Sequence, residues 1–389
     1  LTFAGGMDLK FGINESFTLD ATLAPDFGQV QSDNKILNLS AFEIQFDENR
    51  PFFNEGIELF SIGNLFYSRR IGKTPTNYNA INNRANAGEF TIISNPQQTQ
   101  LINATKVSGR TSKGLGLGIF NAVAAETHAI VKDSTGKQQS IVTEPLTNYN
   151  ILAANQTLKN NSSISFINTN VTRSGITNNA NLTGGGFKIG NKNNSYSLKT
   201  LAIASQKIQA GGNTNGYKYE VSFSKTSGNF QFTASRGVLS ADYDPNDLGI
   251  LFYANEITNR LELNYNTFKA RGNILRTFST ISGYRSSIQN TGLFQNAEIN
   301  FNEWILFRNY LGVYANAGIR PVEGNDIYEA RVPGRVYKTP AYYGATAGLS
   351  SDYRKKLALD ASYSHYRDFT RTGIFNQLKF APRVRLSNH

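Results

Sequence analysis

The chain has no cysteine, one methionine, one tryptophan and three histidines in 389 residues, and only 17% of its side chains are charged. Each shortage excludes something. Without cysteine there is no disulfide framework, no thiolate-ligated metal and no thiol nucleophile. No apolar run approaches the ~18 residues of a membrane-crossing helix, so a helical membrane protein is excluded too. What is plentiful is aromatic and small: 26 Phe, 19 Tyr and 34 Gly. Aromatic and β-branched residues run through the whole length, which argues against disorder. The composition is that of a large all-β protein.

Two-residue alternation recurs along most of the chain, the period of a strand with two unlike faces. Leu357, Leu359, Ala361, Tyr363 and His365 alternate with Ala358, Asp360, Ser362, Ser364 and Tyr366. The same pattern appears in Tyr217–Ser224, Leu261–Thr267 and Asn309–Arg320. Roughly 16–20 such runs can be counted, many about 10–16 residues long, against the five or six usual in soluble strands. Some connections are tight, such as Thr226–Asn229; Thr76–Gln100, Asp133–Pro145 and Val322–Pro340 read as long loops. Long strands joined alternately by short turns and long loops are what a transmembrane β-barrel requires, because a closed sheet satisfies every backbone amide in lipid. A propeller would show a repeat of about 40–50 residues, which is absent. A soluble sandwich would have shorter strands. The sequence therefore predicts one large antiparallel transmembrane barrel over 1–389, with polar inward faces of Ser, Asn, Thr, Gly, Lys and Glu and aromatics near strand ends.

Charge is uneven. Residues 1–60 hold ten acids and three bases, whereas the rest holds 18 acids and 36 bases, for a net charge of +11 overall. Either an acidic strand pair and a basic remainder face water on different sides, or Gln29–Gly63 folds into the lumen against a basic wall. The second reading makes residues 29–63 a luminal or plug segment, with Asp47, Glu48, Arg50, Phe52, Phe53 and Glu55 as its candidate contacts. A buried Arg50 would want a bidentate carboxylate, and Glu55 and Asp47 are the expected partners. The basic residues are dispersed rather than striped and no nucleic-acid motif accompanies them, so anionic outer-membrane lipid or lipopolysaccharide is the expected contact and nucleic acid is not.

Several blocks carry a resemblance. They are Gly5-Gly6-Met7-Asp8-Leu9-Lys10, Pro25-Asp26-Phe27-Gly28-Gln29-Val30, Asn49-Arg50-Pro51-Phe52-Phe53-Asn54-Glu55-Gly56 and Phe66-Tyr67-Ser68-Arg69-Arg70-Ile71-Gly72. Ala104–Arg110 with Gly114–Gly118, Thr147-Asn148-Tyr149 and Tyr243–Gly249 extend them over most of the chain. The sequence resembles the uncharacterised outer-membrane β-barrel domain of Bacteroidota proteins that carry an upstream domain like a family 9 carbohydrate-binding module. The resemblance implies the bacterial outer membrane and no assigned activity. The absence of a signal peptide and of the upstream domain, with the polar end Val384–His389, leads to the expectation of a longer precursor and an even closed strand number.

Candidate sites are few. His365 shares a face with Leu357 and Tyr363, as an interfacial residue would; His128 follows Glu126 in a strand with no nucleophile paired to it, and no catalytic triad emerges, so no enzyme is expected. Asp242, Asp244 and Asp247 form either a Ca²⁺-binding loop or an ordinary Asp-Pro-Asn-Asp turn; no other cofactor is expected. Alternate glycines in Gly114–Gly118 lack a following Lys-Ser/Thr and suit close approach of a luminal segment better than phosphate. Two functions remain. One is a channel or transport subunit, with glycans stacking on loop residues Tyr328, Tyr342 and Tyr343. The other is a non-transporting barrel that anchors outer-membrane or surface proteins.

Overall fold

The structure, a computed structural model, describes residues 6–25, 36–175, 178–369 and 372–385. Strands dominate it, and 17 of them belong to one sheet. The chain divides into two compact units.

The first unit comprises Leu1–Phe187, Leu201–Lys218 and Asp242–Ala254. Its strands are β1 (Met7–Asn14), β2 (Phe17–Leu23), β3 (Thr91–Ser94), β4 (Leu101–Arg110), β5 (Leu115–Ala124), β6 (Thr127–Lys132), β7 (Gln138–Glu144), β8 (Thr147–Leu158) and β9 (Ser162–Arg173). Parts of β10 (Asn178–Gly190), β11 (Tyr196–Gln209) and β12 (Gly212–Lys225) also belong to it. Antiparallel ladders run β1–β2–β4–β5–β8–β9. Two stretches read from sequence as long loops carry structure instead. Helix α2 (Tyr78–Asn86; α1 is Pro51–Asn54) and β3 lie before β4, and β7 lies between β6 and β8. They assemble a three-stranded sheet, β3–β6–β7, around Ile81, Ala129 and Val131, with Phe90, Ile92 and Ile141 packed on them.

The second unit holds β13 (Phe230–Leu239), β14 (Glu256–Thr267), β15 (Ile274–Ile288), β16 (Phe294–Phe307), β17 (Gly312–Arg320), β18 (Gly324–Asp326), β19 (Tyr337–Thr339), β20 (Tyr342–Ser350), β21 (Leu357–Asp368) and β22 (Ile374–Val384). Its ladder is an antiparallel meander, β13–β14–β15–β16–β17–β20–β21–β22, while β18 and β19 make a small ribbon inside the connection read as a loop.

Register assigns every strand residue to a face. In the first unit one face presents Leu9, Phe11, Leu117, Ile119, Leu152, Ile164 and Phe166, all exposed. Beyond these apolar rows the same face turns to asparagine: Asn121 donates to Asn148 and Asn150, and Asn168 donates to Asn181. Its other face carries Ala104, Lys106, Phe120, Tyr149, Ile151, Ile167 and Val171, each at most 2% exposed. That face is mixed in this unit, its apolar set packed beside Asp20, Lys106, Thr147, Thr169 and Arg173. Alternation in β5 hides an apolar set (Phe120, Ala122, Ala124) behind Gly116 and Gly118, so both faces are apolar and only one is covered. In the second unit the two faces divide into an apolar and a polar one. Leu261, Ile281, Ile299, Phe301, Ile319, Leu349, Tyr363 and Phe380 are exposed on one face. Asn264, Thr280, Asn302, Asn316, Thr346 and Ser364 pair across strands on the other.

Candidate functional site: an inward segment and its wall

Of the predicted segment 29–63, residues 29–35 lie outside the described ones; the rest joins 64–72 in covering one face of the sheet in the first unit. Short apolar blocks separated by Gly give this stretch its form. Gly56, Gly63 and Gly72 all have φ between 62° and 80°, a left-handed conformation that side chains disfavour. Pro51 opens α1 at a position where its missing N–H costs nothing. Phe53, Leu59, Phe60, Leu65 and Ile71 are buried. Phe120 of β5 is the hub of an aromatic cluster, with ring centroids 5.3 Å from Phe66, 6.1 Å from Phe60, 6.2 Å from Phe53 and 6.4 Å from Phe52. The wall makes room with glycine. A Cβ on Gly116 would stand 2.8 Å from Leu59 and one on Gly118 would stand 2.9 Å from Phe60. The close approach inferred from alternate glycines is what this geometry contains.

Polar ties fix the segment at its turns. Arg50, 7% exposed, donates from Nε to Glu48 Oε1 at 2.8 Å and from Nη2 to Glu48 Oε2 at 2.6 Å. It also reaches the carbonyls of Ile71 and Ser68 at 2.9 and 2.8 Å, and its guanidinium lies 4.1 Å from the Phe53 ring centre. Ser68 Oγ donates to Glu48 at 2.5 Å. Burial alone would raise the Glu48 pKa, but the hydrogen bonds and charge of Arg50 outweigh it and hold the carboxyl below its ordinary value. The bidentate partner is therefore Glu48, not Glu55 or Asp47. A turn two residues long brings Glu48 back onto Arg50, whereas Glu55 leaves on the far side of α1 and pairs with Lys10 at 2.6 Å. Asp47 offers its backbone carbonyl to Arg69. Phe52 gives its carbonyl to Lys106 Nζ at 2.5 Å, and that ammonium stands 4.6 Å from the Phe52 ring centre and 3.6 Å from Asp20.

The loop after β13 closes over the segment from the other side. Leu248, 1% exposed, accepts from the Tyr67 amide at 2.7 Å, and Gly249 accepts from Arg70 Nε at 2.9 Å. Asp247 receives Arg173 at 2.8 Å and also bonds Lys207, which stands 2.8 Å from Asp244. Asp242 is exposed, its backbone packed over Gly216. Two of the three carboxylates read as possible calcium ligands, Asp244 and Asp247, thus face cations of the wall, and no group of three or more His, Cys, Asp and Glu is placed to hold a metal among the described residues. Burial would raise the Asp247 pKa; Lys207 and Arg173 lower it further, and the net shift is downward. Pairing of Asp247 with Arg173, 74 positions apart, leaves no local pattern to read.

The tyrosines divide. Tyr328 lies in the connection between β18 and β19, its amide bonded to Asp326 at 2.7 Å. Tyr342 and Tyr343 are not loop residues: they open β20, because the alternating run there begins earlier than the polar loop before it suggested. As neighbours in a strand they face opposite ways. Tyr343 meets His365 and Phe369 at 5.7 and 5.1 Å, while the Tyr342 ring centre lies 5.2 Å from the Arg320 guanidinium. His365 Nδ1 donates to Asn376 Oδ1 at 2.8 Å. His128, read as lacking a nucleophile, has Ser140 Oγ at 2.9 Å from Nδ1 and Glu126 at 2.9 Å from Nε2, a contact that the β6–β7 hairpin creates on an exposed surface of the small sheet.

These features define an all-β chain whose principal element is a large antiparallel sheet, one unit of which carries an internal segment on its covered face. The family model for a domain of unknown function (DUF5916) matches residues 1–389, and the chain belongs to that family. No curated protein matches it. Among solved structures it is similar to OccK5 (OpdH) of Pseudomonas aeruginosa, at 12% identity over 74% of this chain and 93% of that one, with a TM-score of 0.25.

Proposed function

We propose that the chain is a bacterial outer-membrane β-barrel that acts as a channel or transport subunit for glycans, with the segment ending at residue 72 as its plug. The observation that carries this reading is the division of faces. Long antiparallel strands expose rows of Leu, Ile, Phe and Tyr along one side, and the first unit ends its rows in asparagine. An apolar band beside a polar band is what lipid and head groups ask of a barrel exterior. A basic remainder suits contact with anionic lipid or lipopolysaccharide. Covering of the inner face by 36–72 supports a plug, and equally a sealed barrel that anchors other surface proteins. Single-channel conductance in planar bilayers, for the full chain and for a variant without residues 29–63, separates these. Silence in the first and current in the second is expected. Steady current in the intact protein removes the plug. Failure to partition into membranes overturns the barrel. Silence in both, with proteins co-purifying in fixed ratio, replaces transport by anchoring.

A further inference from the structure

In the second unit β20 has two vacant side-chain positions on the polar face, Gly344 and Gly348, and each is filled from a neighbouring strand. The Tyr366 ring of β21 lies over Gly344, so close that an added Cβ would meet ring carbons at 2.0 and 2.3 Å. The Tyr314 ring of β17 lies over Gly348, where a Cβ would meet it at 2.4 Å. Register pairs Tyr366 directly with Gly344 and Tyr314 directly with Gly348. Two rings are therefore laid against one strand, four residues or about 13 Å apart at ~3.3 Å per residue. Tyr366 remains 43% exposed, and Phe375, 51% exposed, stands beside it at 6.1 Å.

Between the two rings lies a transverse row with no charge. Thr280, Asn302, Asn316, Thr346, Ser364 and Gln377 are paired in sequence from β15 to β22. Hydroxyl and amide side chains both donate and accept hydrogen bonds, as sugar hydroxyls do. Charge lies outside that row: Lys379 pairs with Ser362 in the row of Gly348, Asp360 pairs with Ser350 one row beyond, Glu262 stands in the row of Gly344 on β14, and past Gly344 Arg320 donates to Glu298 at 2.5 Å. Aromatic faces take apolar C–H surfaces and amphipathic rings; uncharged polar groups between them select neither anion nor cation. We infer that this face of β17, β20 and β21 binds a neutral oligosaccharide, with Tyr366 and Tyr314 as stacking plates and Asn316, Thr346 and Ser364 as its hydrogen-bonding floor. The site deepens the transport reading, and rests on it for the source of the ligand.

Equilibrium binding by calorimetry tests it, on the full chain in a detergent without a sugar head group. The probes are maltohexaose, cellohexaose and mannohexaose, with hexagalacturonate as the anionic comparison. At least one neutral hexaose binds, and more tightly than hexagalacturonate. Tyr366→Ala and Tyr314→Ala each weaken it about tenfold, the scale of truncating an aromatic anchor. Tyr366→Phe, which keeps the plate and the fold, retains binding. Tyr363→Ala, on the opposite face, leaves it unchanged. Gly344→Ala weakens it by lifting the ring off the wall. The proposal is overturned if no neutral hexaose binds, if hexagalacturonate binds best, or if Tyr363→Ala costs as much as Tyr366→Ala. A protein that conducts but binds no hexaose loses this site and keeps the transport reading, and one that binds but never conducts does the reverse.

Discussion

The two units use the same alternation for different ends. In the first, the covered face packs an apolar set and several buried polar groups beneath a segment of the same chain, so a strand such as β5 reads as apolar on both sides. In the second, the polar face carries a row of Asn, Thr and Ser, and its side chains are mostly half-exposed or exposed. The difference teaches that an amphipathic strand pattern reports what covers each face, not which face is inside. A covered face needs glycine notches and buried ion pairs. A wet face needs hydrogen-bonding side chains, and it can use glycine to seat aromatic rings instead.

The largest expected effect breaks the cover of the first unit. Arg50→Ala strips the buried Glu48 of its bidentate partner, leaving it Ser68, the amide of residue 50 and Arg69 at 3.9 Å, and losing one partner of a buried pair costs about 3–5 kcal/mol. Hydrogen exchange read by peptide mass should show residues 41–72 exchanging fast, while the β14–β17 ladder keeps its protection. Equal loosening in both units would mean that the cover is part of one cooperative core and that the units do not differ in what their faces need.

Gly118→Val comes next. Its side chain enters the space of Phe60, and overpacking of this kind costs about 1–3 kcal/mol. A lowered melting temperature in micelles and quenched burial of the Phe53–Phe60–Phe66 cluster are the readouts. No change would mean that the segment does not rest on β5. This contact was legible beforehand, because glycine at alternate strand positions has few uses. The strand repertoire was legible too, since alternation over many residues is a strong signal. Other parts were not. The pairing of Glu48 with Arg50 depends on a tight local turn, whereas nearness in sequence alone favoured Asp47 and Glu55 no less. Asp247 finds Arg173 and Lys207 only when the chain folds, so its loop read as a turn or a calcium site. Tyr342 and Tyr343 sit at a strand boundary, where pattern reading is weakest. The plates at Tyr314 and Tyr366 require register, which alternation alone does not supply.

Acid should sharpen the comparison by a smaller step. Glu48 and Asp247 both have folded pKa values below their ordinary 4.5 and 3.8. A depressed carboxyl contributes stability that is present above the unfolded pKa and is lost as pH falls through the folded one. Docking of 41–72 should therefore be indifferent to pH above about 5 and weaken progressively below about 4. Protease nicking within the segment, followed from pH 7 to pH 3, is the measurement. Weakening that begins near pH 6 would implicate histidine and leave these carboxylates out.

Glu55→Gln should do least. Its pair with Lys10 is close, at 2.6 Å, but the two side chains are 59% and 64% exposed. Water screens such a pair, and exposed ion pairs contribute little or nothing that can be measured. The Glu55 backbone carbonyl, which holds the buried Lys106 ammonium, is untouched by the substitution. Segment protection in Glu55→Gln should match that of the unaltered chain at low and high salt alike. A clear loss, relieved by no change of salt, would show that the cover is held at its exposed rim as much as at Arg50, and that burial is the wrong guide to which contacts of the first unit matter.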